Sequence, residues 1–232
     1  MPATGPVRFR ATAEHLDDLL ARIQRLRGAG RVIVGVTGPP GAGKSTLTAA
    51  LAQALRAEQV RCAVVGMDGF HLAQAELERL GRAERKGAPD TFDADGYLAL
   101  LHRLRRQTTG TVYAPFYVRG AVEQPIGSAV PVHPDDEVVL TEGNYLLLPT
   151  APWDQVPGLV KETWYVHTAA DVRREWLLAR HLAGGKSHAQ ALAFTDGSDA
   201  ANAALVATTR NRADVIIDWE QLPSHETSRN LT

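Results

Sequence analysis

A single cysteine, Cys62, stands among the 232 residues, so no disulfide can close within the chain. That usage fits a reducing compartment. No apolar run reaches the about 18 residues that a membrane-spanning helix needs, and Met1–Arg10 lacks the apolar stretch of a secretory leader. Neither charge is in excess: 25 Lys and Arg face 26 Asp and Glu, for a formal net charge of -1. Bulk electrostatics therefore gives no grip on nucleic acid or on a membrane surface, and any bound anion must be held by a local site. These absences predict a cytoplasmic protein with neither nucleic acid nor membrane as a partner.

What remains is an ordinary globular composition, long enough for one α/β domain with insertions. Residues 1–10 read as a loose lead-in. Leu16, Leu19, Leu20, Ile23 and Leu26 recur at helical spacing over Ala13–Arg27, with Thr12 placed to cap the start and Gly28 and Gly30 to stop it. Arg31–Thr37 is a β-branched run with no polar alternation in its middle, the pattern of a strand buried on both faces. A glycine-rich turn and a helix over Lys44–Glu58 follow, then a strand over Arg61–Met67. Asp95–Arg106 is helical. Thr111–Val118 and Val122–Val132 form a hairpin, which Pro125 and Pro131 keep out of the main sheet. Val138–Thr141, Thr163–His167 and Val215–Asp218 are further strands. Asp171–Ala183 and Ser187–Arg210 are helical, broken at Gly184-Gly185 and near Gly197. Strands alternating with helices predict a mostly parallel sheet covered by helices on both faces.

The sharpest signal is Gly38-Pro-Pro-Gly-Ala-Gly-Lys-Ser45, which fits G-x-x-x-x-G-K-[ST] between a buried strand and a helix. Glycines let successive backbone N–H groups turn inward onto phosphate oxygens, and the helix adds its positive end. Gly38, Pro39, Gly41, Ala42, Gly43, Lys44, Ser45 and Thr46 are thus the expected nucleotide-binding residues. Lys44 supplies a point charge to the β- and γ-phosphates, and Ser45 a hydroxyl to Mg²⁺. The cradle implies ATP and magnesium. It does not separate a kinase from a hydrolase or a nucleotide-driven switch.

Asp68 follows the second strand of this pattern, at the end where open α/β sheets bind ligands. A carboxylate there can orient a hydroxyl acceptor and take its proton; Asp ahead of Gly69 equally describes a plain turn. Glu142 closes the Val138–Thr141 strand and can hold a magnesium-bound water beside Ser45, or serve as a solvated strand end. Arg173 and Arg180, seven residues apart, share a helix face and are placed to close over a transferring phosphate.

These residues resemble the superfamily of uridine kinase, phosphoribulokinase and pantothenate kinase, in motif order over roughly residues 31–218. Asp68-Gly-Phe resembles the segment that carries the base in those enzymes. Arg85-Lys-Gly is similar to pantothenate kinases, and Pro89-Asp-Thr-Phe-Asp93 to the uridine kinase stretch whose first Asp touches the acceptor. Tyr113-Ala-Pro-Phe-Tyr117 and Arg119 resemble the substrate hairpin, and Thr141-Glu-Gly-Asn-Tyr145 the Glu-Gly segment. Met67–His71, the stretch from Arg85 to Asp93, and Asn202 with Ala213-Asp214 are most similar to bacterial fructose-transport-system kinase-like (nucleoside kinase-like) proteins. The resemblance implies a P-loop nucleoside triphosphate hydrolase fold with a hairpin insertion and a helical lid. One kinase domain would span 1–232, with an N-terminal helix at 12–28, the nucleotide unit at 31–58, an acceptor region at 68–132 and a lid at 171–186. It implies a small hydroxyl-bearing acceptor, with Asp68, His71, Arg85, Asp90, Tyr113, Tyr117 and Arg119 as its contacts, and a homodimer as the family-level expectation.

The chain also departs from the pattern. Trp176 and Leu177 replace two lid arginines, so clamping rests on fewer charges or on His181 and Lys186. His71 stands where uridine kinases carry an aromatic. Asn211-Arg-Ala-Asp214 has the letters of a guanine reader but ends a helix instead of following a strand. His15, His102, His133, His167 and His188 show no metal-ligand spacing.

Overall fold

The computed structural model describes residues 5–11, 16–28, 30–118 and 124–219. Among them, Val7–Ala11 (β1), Val32–Thr37 (β2), Cys62–Gly66 (β3), Val138–Gly143 (β6), Glu162–His167 (β7) and Val215–Trp219 (β8) form one sheet in the order β1-β8-β7-β2-β6-β3. Every pairing in it is parallel. Val112–Val118 (β4) and Gln124–Val132 (β5) make a separate antiparallel hairpin, with a register shift between Ala114 and Phe116.

Side-chain alternation sorts the core into two layers. Val32, Val34 and Val36 of β2 pack with Leu19 and Ile23 of helix α1 (Leu16–Leu26) and Leu47, Leu51 and Leu55 of α2 (Lys44–Ala57). Ile33, pointing the other way, joins Tyr97, Leu101 and Leu104 of α4 (Ala94–Arg106), Leu146–Leu148 and Trp153. A six-residue helix α3 (Gln74–Arg79) and short 3₁₀ turns fill the stretch from 67 to 91. After β7 come α5 (Ala170–Ala183), α6 (His188–Phe194), a π-helical turn at Thr195–Asp199, and α7 (Ala200–Ala207). Ser187 starts α6 with a capping box to Gln190.

One expectation changes. The lead-in is no loose segment: Val7–Ala11 is an edge strand paired with Val215–Trp219 along its length. Its five residues carry too little periodicity to announce themselves, and long-range pairing with β8 orders them. Asn211–Asp214 lies before β8, at the end of the strand away from the phosphate loop. Asp214 Oδ2 accepts from the Thr163 backbone N at 2.7 Å, which makes this segment a strap between β7 and β8 and not a base reader. The Thr12 cap lies outside the described residues. No described helix is long and apolar enough to cross a membrane.

Candidate active site

The turn from β2 into α2 has the shape its glycines predict. Gly41 and Gly43 take φ values of 74° and 86°, and a Cβ on Gly43 would stand 2.9 Å from the Trp219 indole nitrogen. Both the left-handed backbone and the packing against Trp219 therefore require glycine, and the loop keeps its concave side open. Lys44 is buried at 8% exposure, and its ammonium donates to the carbonyls of Gly38 and Pro39 at 3.0 Å and to Asn144 Oδ1 at 2.7 Å. Ser45 Oγ donates to Glu142 Oε1 at 2.9 Å. A hydroxyl beside one carboxylate suits a hard cation that keeps waters and takes phosphate oxygens, so the residues fit Mg²⁺ with ATP. Among the described residues no cluster of three or more His, Cys, Asp and Glu forms a metal cage.

Asp68 lies in the 3₁₀ turn Met67–Phe70 directly after β3. A Cβ on the next residue, Gly69, would meet the Pro115 carbonyl at 2.5 Å, so the turn lies flush on the hairpin and only glycine fits there. Thr141 anchors the neighbouring strand, donating to the Val65 carbonyl at 2.9 Å and receiving the Tyr97 hydroxyl at 2.6 Å. This fixes β6 against β3 immediately ahead of Glu142 and Asp68. His71 donates from Nδ1 to the Asp68 carbonyl at 2.8 Å, and its ring stacks on Phe92 and Tyr117 with centroids 4.0 and 4.5 Å apart.

One cavity of about 1400 Å³ gathers these groups. Gly41 through Thr46, Asp68, His71, Tyr117, Glu142 and Arg180 all line it. Other expected residues lie elsewhere. Arg85 and Asp90 pair with each other through two hydrogen bonds of 2.6 and 2.5 Å, and neither lines the cavity. Tyr113 is 54% exposed on the outer face of the hairpin, because the register shift between Ala114 and Phe116 breaks the alternation of β4 and turns Tyr117, four residues on, inward instead. Arg173 donates to the Pro40 carbonyl at 3.2 Å, bracing the phosphate loop from behind, while Arg180 alone of the two reaches the cavity. Gly38 and Pro39 serve through the carbonyls that hold Lys44. Arg119 lies outside the described residues.

The cavity also contains residues that sequence reasoning did not assign: Asn144, Lys86, Gln124, Asp199 and Asn202. Asn144 could have been found, since an amide two residues past Glu142 at a buried strand's end must face the loop. The others depend on contacts between distant segments. Tyr145 donates its hydroxyl to the Gly87 carbonyl at 2.5 Å, and Asn202 Nδ2 donates to the same oxygen at 3.2 Å. Burial, with the charges of Asp68 and Asp199, pushes the Tyr145 phenol up and keeps it a donor.

Comparison with known proteins places the chain in a family. A family model described as methylmalonyl Co-A mutase-associated GTPase MeaB matches residues 7–71, from β1 through the phosphate loop to His71. A Schizosaccharomyces pombe protein named "Putative uridine kinase" is 33% identical over 223 residues, covering 91% of this chain and 94% of its own length. A pantothenate kinase of Clavibacter sepedonicus is 36% identical over 154 residues, 65% of this chain and 48% of the enzyme. A crystal structure titled "putative fructose transport system kinase" from Silicibacter sp. TM1040 superposes with a TM-score of 0.79 at 36% identity, covering 87% of this chain and 98% of that one. The chain belongs to the P-loop kinase superfamily that includes uridine kinase-like proteins and pantothenate kinases.

Proposed function

We propose that this protein is an ATP-dependent phosphotransferase whose acceptor is a hydroxyl group of a small metabolite, a sugar, a nucleoside or a relative of these. The observation that carries the reading is the convergence of Lys44, the Ser45–Glu142 pair, Asp68 and Arg180 on one cavity. The turn from Gly38 to Thr46 would hold the triphosphate with backbone N–H groups, and Lys44 would move from its own loop carbonyls onto phosphate oxygens. Mg²⁺, when bound at Ser45 and Glu142, supplies charge neutralisation on the phosphates. Asp68 accepts a hydrogen bond from the acceptor hydroxyl and takes its proton as transfer proceeds, while Arg180 offsets charge on the transferring group. Tyr117 and His71 wall the acceptor side, and the helices that follow β7 exclude water, which disfavours hydrolysis.

The test is ADP release from Mg-ATP against uridine and other nucleosides, fructose and other sugars, glycerate and pantothenate, with Asp68→Asn as the control. Stimulation by one acceptor class, lost in the variant, is the expected result. The match of residues 7–71 to a GTPase family favours a second reading, a nucleotide-driven switch or metallochaperone. That match ends before the hairpin and the helices after β7, which a switch does not need. Slow hydrolysis, indifferent to every acceptor, would favour the switch.

A further inference from the structure

Along α5, one face runs over the phosphate loop. Leu177 packs on Gly41, whose Cβ position lies 2.8 Å from Leu177 Cγ. Three and four residues further, on the same face, stand Arg180 and His181, and both line the cavity with the loop. Trp176 and Leu177 seal this face without charge, so Arg180 and His181 are the cationic groups that α5 turns toward the cavity among its described lining residues.

His181 does not hang freely there. Its Nε2 lies 2.7 Å from Asp199 Oδ2, and the two side chains are only 12% and 14% exposed. A carboxylate is an acceptor, so Nε2 carries a proton, and the ring is held at the wall of the cavity that His181 lines. Arg180 Nη2 stands 3.9 Å from the second oxygen of Asp199. The Phe194 ring lies 5.6 Å from the imidazole, and the Lys186 ammonium 5.1 Å from that same phenyl ring. Asp199 is the last residue of the π-helical turn, and such turns recur at functional sites because the widened register re-aims side chains. A second strut, Arg174 to Asp196 at 2.7 and 2.8 Å, ties the same turn to α5 on the outer surface. The turn thus braces α5 twice, once in solvent and once within the cavity wall, and only the inner brace touches lining residues.

We propose that His181 belongs to the phosphate clamp, taking a second proton from solvent at Nδ1 when a nucleoside triphosphate binds and donating it to a terminal phosphate oxygen, and that Asp199 is its positioning residue, holding the ring through Nε2. The inference rests on the kinase reading but concerns the triphosphate, not the acceptor. A purely structural pair would brace α5 whatever nucleotide is bound; a clamp distinguishes tri- from diphosphate.

Calorimetric binding of Mg²⁺ with ADP and with the β,γ-imido analogue of ATP tests this without turnover. His181→Gln should bind the triphosphate analogue about tenfold more weakly, the scale of one charge-assisted hydrogen bond, with ADP affinity unchanged. His181→Arg, which restores a cation, should recover most of that loss. Asp199→Asn should fall between, and all three variants should melt within a few degrees of the wild type, because each replacement keeps a polar group that can hydrogen-bond the remaining partner of the buried pair. Equal weakening toward both nucleotides, or an unchanged ratio in His181→Gln and Asp199→Asn, would make the pair a brace and overturn the clamp. A wild type that binds both nucleotides equally also overturns it; acceptor-stimulated ADP release in that same protein would leave the kinase reading standing.

Discussion

Lys44 donates to carbonyls of its own loop and to Asn144, and these oxygens can be given water in its place in an open cavity. Lys44→Ala should therefore stay folded and lose nucleotide affinity, read by titration with a fluorescent ATP analogue. Asp68→Asn should keep that affinity and lower acceptor-dependent turnover by roughly 10²-fold, the usual scale for a positioned base; unchanged turnover would remove Asp68 from the chemistry. The two arginines of α5 should separate. Arg180→Ala should reduce kcat with little change in melting temperature. Arg173→Ala frees the Pro40 carbonyl and should lower both melting temperature and nucleotide affinity, because Arg173 acts on the loop's shape. Cys62 offers a check on the core. Burial raises its thiol to about 11, so the folded protein holds it protonated at pH 8 and alkylation there should be slow until the chain unfolds. The sign for stability follows: the contribution is full below the thiol's unfolded value and fades as pH rises toward 11.

The elements differ in how openly the sequence declared them. A loop that needs glycines at fixed spacing between a buried strand and a helix has few alternatives, and Gly38–Ser45 lies between β2 and α2 with Gly41 and Gly43 at positive φ. Glu142 likewise follows from β6, since Val138–Leu140 are apolar and buried and the strand's one carboxylate comes at its end. The stretch from Arg85 to Asp93 is less legible. Its residues suggest acceptor contacts, but Arg85 and Asp90 satisfy each other across two 3₁₀ turns, and a bidentate pair of that kind depends on backbone bends that no periodicity reveals. What this stretch contributes to the cavity is Lys86, set 5.6 Å over the Tyr117 ring, together with Gly87 and Phe92. Asn202 is 115 positions away from Gly87 in sequence, so its contact could not be seen there. The Gly87 carbonyl joins two elements, the segment after β6 through Tyr145 and α7 through Asn202, and Gly87 holds a φ of 99°. Gly87→Ala should cost about 1–3 kcal/mol from backbone strain, measured by urea denaturation. Asn202→Ala should leave stability nearly unchanged and raise the acceptor KM while the ATP KM stays constant. An equal rise in both would place Asn202 in general packing.

At the scale of the molecule, the sheet order puts the phosphate loop at the centre and the least legible strand at the edge. β2 leads into the loop between β6 and β7, and both neighbours bring functional ends: Glu142 from β6, α5 from beyond β7. The edge strand β1 looks dispensable, yet its register gives it reach. β7 pairs with β8 only as far as Asp218, whereas β1 continues one residue further, Ala11 opposite Trp219. Trp219 is the residue whose indole fills the space beside Gly43. Among the described residues, then, the strand pairing that fixes Trp219 comes from β1 alone. Arg8 adds a contact to Asp218 at 3.6 Å, which counts for little at that exposure, and Phe9 packs on the α1–α2 layer. Removing residues 1–11 should lower stability by about 2 kcal/mol, the scale of losing a half-buried aromatic with its strand. It should also weaken ATP binding at temperatures where the truncated protein remains folded by circular dichroism, because Trp219 no longer backs the loop. Trp219→Phe in the full chain separates the two effects: it keeps β1 and should reproduce part of the affinity loss with less change in stability. Full nucleotide affinity in the folded truncation would show that β7 and the core hold Trp219 by themselves, and β1 would then be an edge cover with no part in the site.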